Sequence, residues 1–249
     1  MITKNQIKFF KSLSQKKSRN ENKKFLIEGK RIVDELIKSN YEIDQIIVSD
    51  KFIKKNSDFI LFNSRHSYEI ISEEDVRKIK NTDNSQEIFA IVSIGDSFDS
   101  NIKGPTLILN NISDPGNLGS LLRSASWYNI NNIFVSNNSV DIYNPKVVRA
   151  SMGAHFYIGN LHQMSSKDIA AVLNNRKIDI VAATLEGVSH KDISIQKDWA
   201  LILGNEAHGI DKEMLEIANQ SVCIPRLGNI NSLNVAIAGS ILIDRFITD

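Results

Sequence analysis

Five polar residues in apolar or glycine-rich surroundings are the natural candidates for chemistry, and three loops carry them. Arg123 lies in LLRSASW (121–127) among Leu121, Leu122, Ala125 and Trp127. A charge buried there without a partner is costly, so Arg123 is either a dedicated contact or a surface arginine on an amphipathic helix. Asn117 follows the turn Asp114-Pro115-Gly116, where it can cap the helix that begins there. In GNEAHG, Gly204 and Gly209 bracket Asn205, Glu206 and His208. Glu206 suits accepting hydrogen bonds or pairing with an arginine, whereas His208 reads as a loop residue rather than a general base. In VCIPRLGNINSLNVAIAGSIL (222–242) a strand ends at Pro225, a Gly/Asn turn follows, and Ser232, Leu233 and Asn234 open an apolar helix. A further strand, ending AATLEG (182–187), carries Thr184 and Gly187.

No loop sets a nucleophilic Ser or Cys beside a positioned His, which argues against covalent catalysis. No ligand spacing suggests a metal. The glycines form neither GxGxxG nor GxxxxGK, so a dinucleotide or P-loop phosphate site is not indicated. Polar loops between strand ends and helix starts are where α/β proteins hold ligands. A pocket of backbone and small side chains suits an adenosine-like molecule.

The elements that must position these loops alternate between strand and helix. Residues 3–20 read as a basic helix with Ile7, Phe10 and Leu13 as its apolar stripe. Then come a strand at 24–29, a helix at 30–39, a strand at 44–49, a short strand at 59–61, a helix starting at the Ser72 cap, and a strand at 88–94. The polar segment 96–105, with Gly104 and Pro105, reads as a linker. Beyond it strands are expected at 106–110, 132–136, near 155–159, 178–184, 199–204 and 221–225. Helices are expected at 117–128, 144–151, 165–175, 211–218 and 232–246. Several of these strands are almost wholly apolar, as in a parallel sheet covered on both faces.

The chain has 249 residues, 42% of them hydrophobic and 24% charged, an ordinary globular composition. No apolar run approaches the ~20 residues of a membrane span, and the polar start does not resemble a signal peptide, so a cytoplasmic location is expected. The one cysteine, Cys223, excludes an internal disulfide and reads as a buried apolar residue. The formal charge of +1 is unevenly spread. Residues 1–31 hold ten Lys or Arg against two Glu, while residues 101–249 hold 12 basic and 13 acidic residues. The basic N-terminus is either a footprint for a polyanion or a solvated helix face.

DPGNLGSLLRSA (114–125), LILGNEAHGI (201–210) and CIPRLGNINSLNVAIAGSILI (223–243) occur in the order of three motifs of a known family. KVVRASMGAHF (146–156) matches the stretch between the first two. On these segments the chain resembles the SpoU, or TrmH-type, RNA ribose 2'-O-methyltransferases of the trefoil-knotted superfamily. Residues 12–36 resemble the small substrate-binding domain, related to ribosomal protein L30e, of members acting on large-subunit ribosomal RNA. The resemblance implies an α/β protein with an L30e-like domain at 1–97 and a trefoil-knotted methyltransferase domain at 104–249. It also implies a homodimer with an active site completed across the interface, and S-adenosylmethionine as cofactor with no metal.

By the same resemblance, Arg123 corresponds to the family's catalytic arginine, with Asn117, Glu206, Ser232 and Asn234 as the other catalytic-site residues. The cofactor would lie against Thr184, Leu185, Gly187, Leu203, Gly204, Asn205, Gly209, Ile224, Pro225, Ser232 and Leu233. Because arginine is a poor base at neutral pH, orientation of the ribose hydroxyl and field effects are the roles its chemistry favours. The expected substrate is structured RNA, 23S rRNA foremost. A transfer RNA and a non-catalytic RNA-binding role are the alternatives. Two departures stand out. Arg226 occupies a position that is commonly Met, where it would meet an RNA phosphate or pair with Glu206. Tyr128-Asn129 replaces a Phe-Gly helix end, and Asn129 tolerates the left-handed conformation needed there.

Overall fold

The computed structural model describes residues 2–63, 65–95, 98–174 and 176–248. It resolves into two compact α/β units: Met1–Asp96 with Tyr143–Phe156, and Ser97–Ile142 with Tyr157–Asp249. The expected boundary at residue 97 and the first two residues of the expected linker lie outside the described residues.

The first unit begins with α1 (Lys4–Ser12), α2 (Lys16–Asn22), β1 (Lys24–Glu28), α3 (Lys30–Lys38) and β2 (Ile43–Ser49). It continues through α4 (Asp50–Lys55), α5 (Ser57–Phe62), β3 (Tyr68–Ile71), α6 (Glu73–Ile79) and β4 (Ile88–Ser93). The sheet order is β1-β4-β2-β3, with β2 and β3 parallel and the other pairs antiparallel. Side chains alternate across it with the period of a strand. Leu26, Ile47, Phe89 and Ile91 pack with Ile7, Phe10, Val76 and Ile79. Phe25, Ile27, Val48 and Ala90 face Val33, Leu36 and Phe52 on the other side. That second cluster also takes in Val148 and Phe156.

The second unit starts with β5 (Thr106–Leu109), α7 (Pro115–Trp127) and β6 (Asn132–Ser136). The segment holding α8 (Pro145–Ser151) and a 3-10 turn at Ala154–Phe156 belongs to the first unit. The chain then returns to the second unit with β7 (Asn160–Met164), α9 (Ser166–Asn174), β8 (Asp179–Ser189) and β9 (Trp199–Leu203). It ends with α10 (Lys212–Ile217), β10 (Gln220–Cys223) and α11 (Val235–Thr248). All six strands are parallel, in the order β10-β8-β9-β5-β6-β7. Every residue of β5, β6 and β9 is buried. Ile108 and Ile202 pack with α9 and α10 residues Ile169, Leu173 and Met214. Leu203 points to the opposite face, where the backbones of α7 and α11 come close. Each such apolar side chain removed from water contributes roughly 1.5–3 kcal/mol before conformational entropy is set against it.

Several expectations need correction. The helix expected at 3–20 is two helices, broken at Leu13–Gln15, because Leu13 turns into the core and Arg19 reaches back to the Leu13 carbonyl (2.9 Å). Residues 59–61 are helical, within α5, and β3 was not foreseen. Residues 155–159 are not a strand: the chain makes the 3-10 turn first, and the strand follows at 160–164. The helix of the third motif starts at Val235 rather than residue 232. Cys223 is half-buried, with its thiol directed at the Gly187 carbonyl (3.3 Å), rather than a core residue.

Candidate functional site

Parallel strands deliver their connecting loops to one edge of the sheet. At the carboxyl edge here, β5, β9 and β10 hand over to the segments bearing the three motifs. Asp114, not Asn117, caps α7: its carboxylate accepts the Asn117 N–H (2.8 Å), and Pro115 occupies the first turn. Released from capping, the Asn117 side chain turns outward from the helix start. Its Nδ2 donates to Glu206 Oε1, and its Oδ1 accepts from Asn234 Nδ2 (2.8 Å). Asn234 Oδ1 in turn accepts from the Ala236 and Ile237 amides (2.9 and 3.3 Å), so this residue caps α11. One residue from each motif is thereby joined into a single chain, Glu206–Asn117–Asn234.

The loop after β9 is closed on itself. Asn205 Oδ1 accepts from the Ala207 and His208 amides, and Asn205 and Gly209 exchange backbone hydrogen bonds. Gly204 is required: a methyl group on it would sit 2.5 Å from the Gly209 carbonyl carbon and the Ile210 nitrogen. Behind the loop lies a polar network that sequence reading missed. Asn110, fully buried at the end of β5, donates to Asp211 Oδ2 (2.7 Å) and accepts from the Asp211 amide (2.9 Å). Ser166 Oγ donates to the same carboxylate oxygen (3.0 Å). Burial alone would raise the Asp211 carboxyl, but hydrogen bonds from Asn110, the Met214 amide, Ser166 and Asn111 outweigh it and hold it below the usual carboxylate range. The available signal was the Asn110-Asn111 pair closing an apolar strand, since neither residue suits a strand interior.

Thr184, Leu185 and Gly187 lie in an excursion of β8. Pairing with β10 runs Ala182↔Ser221 and then Val188↔Val222, so residues 183–187 leave that ladder. Gly187 passes close to β10, where a Cβ would be 2.6 Å from the Ser221 carbonyl oxygen. Leu203 is buried, Ile224 half-buried and Pro225 exposed. Leu185 (78% exposed), within this excursion, and Leu233 (37%), just before α11, present apolar surface. Ser232 is exposed and precedes α11. Arg226 does not pair with Glu206; it donates to the Ile230 carbonyl (3.4 Å).

Arg123 is not brought to the asparagine–glutamate chain within one molecule. It lies six residues beyond Asn117, about 9 Å farther along the helix and on another side of it. It is exposed, with no ion pair among the described residues. Trp127 (84% exposed) follows it on the same stripe. The helix ends as expected, Asn129 taking a left-handed φ of 55° and Tyr128 donating to Asp244 (2.6 Å). Among the described residues, no group of three His, Cys, Asp or Glu is placed to hold a metal, and no helix is long and apolar enough to cross a membrane.

The second unit is a parallel α/β sheet with three interlocked polar loops at its carboxyl edge, the place where such sheets hold ligands. Residues 104–244 match the SpoU rRNA Methylase family and residues 4–90 the MRM3-like substrate binding domain. The chain belongs to the SpoU family and is an S-adenosylmethionine-dependent RNA 2'-O-ribose methyltransferase. It is 30% identical over 241 residues to the 23S rRNA (guanosine(2553)-2'-O)-methyltransferase RlmP of Bacillus subtilis, covering 95% of this chain and 94% of that one. A putative RNA methyltransferase of the TrmH family from Porphyromonas gingivalis superposes with a TM-score of 0.85 at 29% identity, over 99% of this chain and 98% of that one. An AdoMet-bound rRNA methyltransferase from Sinorhizobium meliloti gives 0.84 at 25% identity, over 99% and 95%.

The residues present fit the methyl donor. The β8 excursion leaves backbone free of the β10 ladder, and Leu185 and Leu233 add exposed apolar surface, the two kinds of contact an adenosine takes. Gly204 lets the loop after β9 close tightly on itself.

Proposed function

We propose that the chain methylates one ribose 2'-hydroxyl in 23S ribosomal RNA, as a homodimer in which Arg123 serves the site of the partner chain. The Glu206–Asn117–Asn234 chain carries this reading, because it converts three separate loops into one rigid polar surface. S-adenosylmethionine, when bound, supplies an electrophilic methyl carbon; the remaining requirements fall on the protein. The RNA hydroxyl must approach in line and be held while it takes the methyl from the donor's sulfur, which leaves as a neutral thioether, and gives its proton to water. The guanidinium of Arg123 orients the hydroxyl and an adjacent phosphate with donors in a fixed fork. Asn117, Ser232 and Asn234 fix the reactants, and Glu206 fixes the Asn117 amide.

Three observations support the dimer and the substrate. α7 and α11 lie side by side and parallel, bonded at Asn117–Asn234, Ser124–Ser240 and Tyr128–Asp244. They expose Trp127, Ile237 (55%) and Ile241 (37%) near Arg123, an apolar surface suited to a second copy. In the first unit, a cavity of about 240 Å³ is lined by Lys30, Lys51, Lys55 and Gln86. Glu87 there accepts from Ser49 Oγ and pairs with Lys51 (2.9 Å), leaving Lys30 and Lys55 as the positive charge available to an RNA phosphate. The trefoil threading implied by the family agrees with the return of α11 onto earlier chain, where Arg245 Nε donates to the His190 carbonyl (2.9 Å).

Ribose methylation mapped across ribosomal and transfer RNA, in cells with and without the gene, tests the assignment. The expected result is one 2'-O-methyl lost from 23S rRNA and restored by the purified protein. Loss confined to transfer RNA would overturn it.

A further inference from the structure

The loops bearing Asn117 and Glu206 are tied together below the site by residues that never reach it. Asn110 and Asp211 meet through two hydrogen bonds of opposite direction, amide to carboxylate and backbone N–H to amide oxygen (2.7 and 2.9 Å). The other Asp211 oxygen accepts the Met214 amide (2.9 Å) and so caps α10. Asn111 adopts a left-handed φ of 59°, donates its N–H to Ser136 Oγ (2.8 Å), and accepts Asn205 Nδ2 on its carbonyl (3.0 Å). The route is continuous: Asp211, Asn110, Asn111, Asn205, then Glu206 and Asn117. We propose that Asn110 and Asp211 are positioning residues for methyl transfer, a buried clamp that sets the separation of the loops after β5 and β9 and thereby holds Glu206 against Asn117. The proposal rests on the reading of Glu206 and Asn117 as site residues.

Its chemistry is directional, which makes it testable by exchange. N110D alone sets two carboxylates against each other at hydrogen-bond distance. D211N alone leaves one oxygen for two donors: it either sets amide donor against the Asn110 amide or turns its NH2 on the Met214 N–H and gives up the α10 cap. N110D/D211N restores one donor and one acceptor across the contact. The position-211 backbone N–H still meets an acceptor, and the remaining oxygen at position 211 still caps α10. A role in packing alone gives no reason for the doubly exchanged protein to recover catalysis.

The experiment uses the full chain, with far-UV circular dichroism confirming the fold of each variant. Amide hydrogen exchange at Ala207 and His208, S-adenosylmethionine affinity, and single-turnover methyl transfer to unmodified 23S rRNA are measured together. Each single variant is expected to speed exchange at both amides and slow transfer about tenfold or more, as small misplacements do. The exchanged pair should return both readouts to within about threefold of the unaltered protein. In an E206A background, N110D should cause little further slowing, because the clamp acts through Glu206. Unchanged exchange in the single variants would overturn the clamp. Faster exchange with an unaltered transfer rate, or no recovery in the folded pair, would overturn its positioning role. If E206A and N117A themselves transfer normally, the site reading fails instead, and the exchange data still report on the clamp.

Discussion

Asn117 spends both ends of one amide, donating to Glu206 and accepting from Asn234, so its orientation is fixed from two sides. Arg123, with no ion pair among the described residues, is fixed from none. The difference suits the parts proposed for them: a fixed amide for the floor of the site, and a free guanidinium for RNA. Arg123→Ala should therefore lower single-turnover transfer by at least about a hundredfold while leaving calorimetric S-adenosylmethionine affinity within about twofold. A large loss of cofactor binding would show that the arginine holds the wrong reactant. Glu87 gives a separate test. The Ser49 hydroxyl, then Lys51, hold its carboxyl below the usual range against the opposing effect of burial. Its folded value is lower than its unfolded one, so its stabilisation is present above about pH 4.3 and is lost as pH falls through the folded value. Glu87→Gln should lower Tm by about 3 °C at pH 7, and the difference should shrink as the medium is taken below pH 4. The chemistry-bearing residues were legible from their motifs. Asp114 as the cap was overlooked although its partner is three residues on and Pro115 follows it; Asn110 with Asp211 could not be read because they meet 101 residues apart.

The elements easiest to find carry a strong apolar pattern: β5, β6 and β9 have near-continuous apolar runs, and α7 repeats Leu118, Leu121, Leu122 and Ala125 on one side. The strands it missed are edges. β3 borders the first sheet and β7 the second, and NLHQM carries no apolar pattern because only one neighbour and one face constrain it. The three residues FIL at 59–61 were misread because a short apolar run fits either element. The loops follow a stricter rule, since steric fit sets them. Gly204→Ala would push a methyl group into the Gly209–Ile210 backbone. The expected result is at least about tenfold weaker S-adenosylmethionine binding, with the far-UV spectrum retained. Unaltered affinity would mean that the loop after β9 does not border the cofactor.

At the scale of the whole molecule, the basic run at residues 1–31 reaches the proposed phosphate site through Lys30, where the fold adds Lys51 and Lys55 from distant sequence. K30E/K55E should weaken RNA binding and flatten its dependence on salt, lowering the log–log slope by about 1.4 if two phosphate contacts are lost, with S-adenosylmethionine binding unchanged. Dimerisation is tested from the other unit. Ile237→Asp places a charge in the exposed apolar face of α11. Sedimentation should show a monomer, and methyl transfer should fall at least about a hundredfold. A monomer that retains full activity would show that each chain uses its own Arg123.

Asn117 meets partners 89 and 117 residues distant, and the farther one stands at the head of the last helix. Contacts of such long sequence separation are slow to close during folding. On the proposed reading, a chain whose α11 has not yet docked would lack catalysis while its basic unit could already grip RNA. A partly folded molecule would thus become a competitor of the intact one, occupying substrate without modifying it.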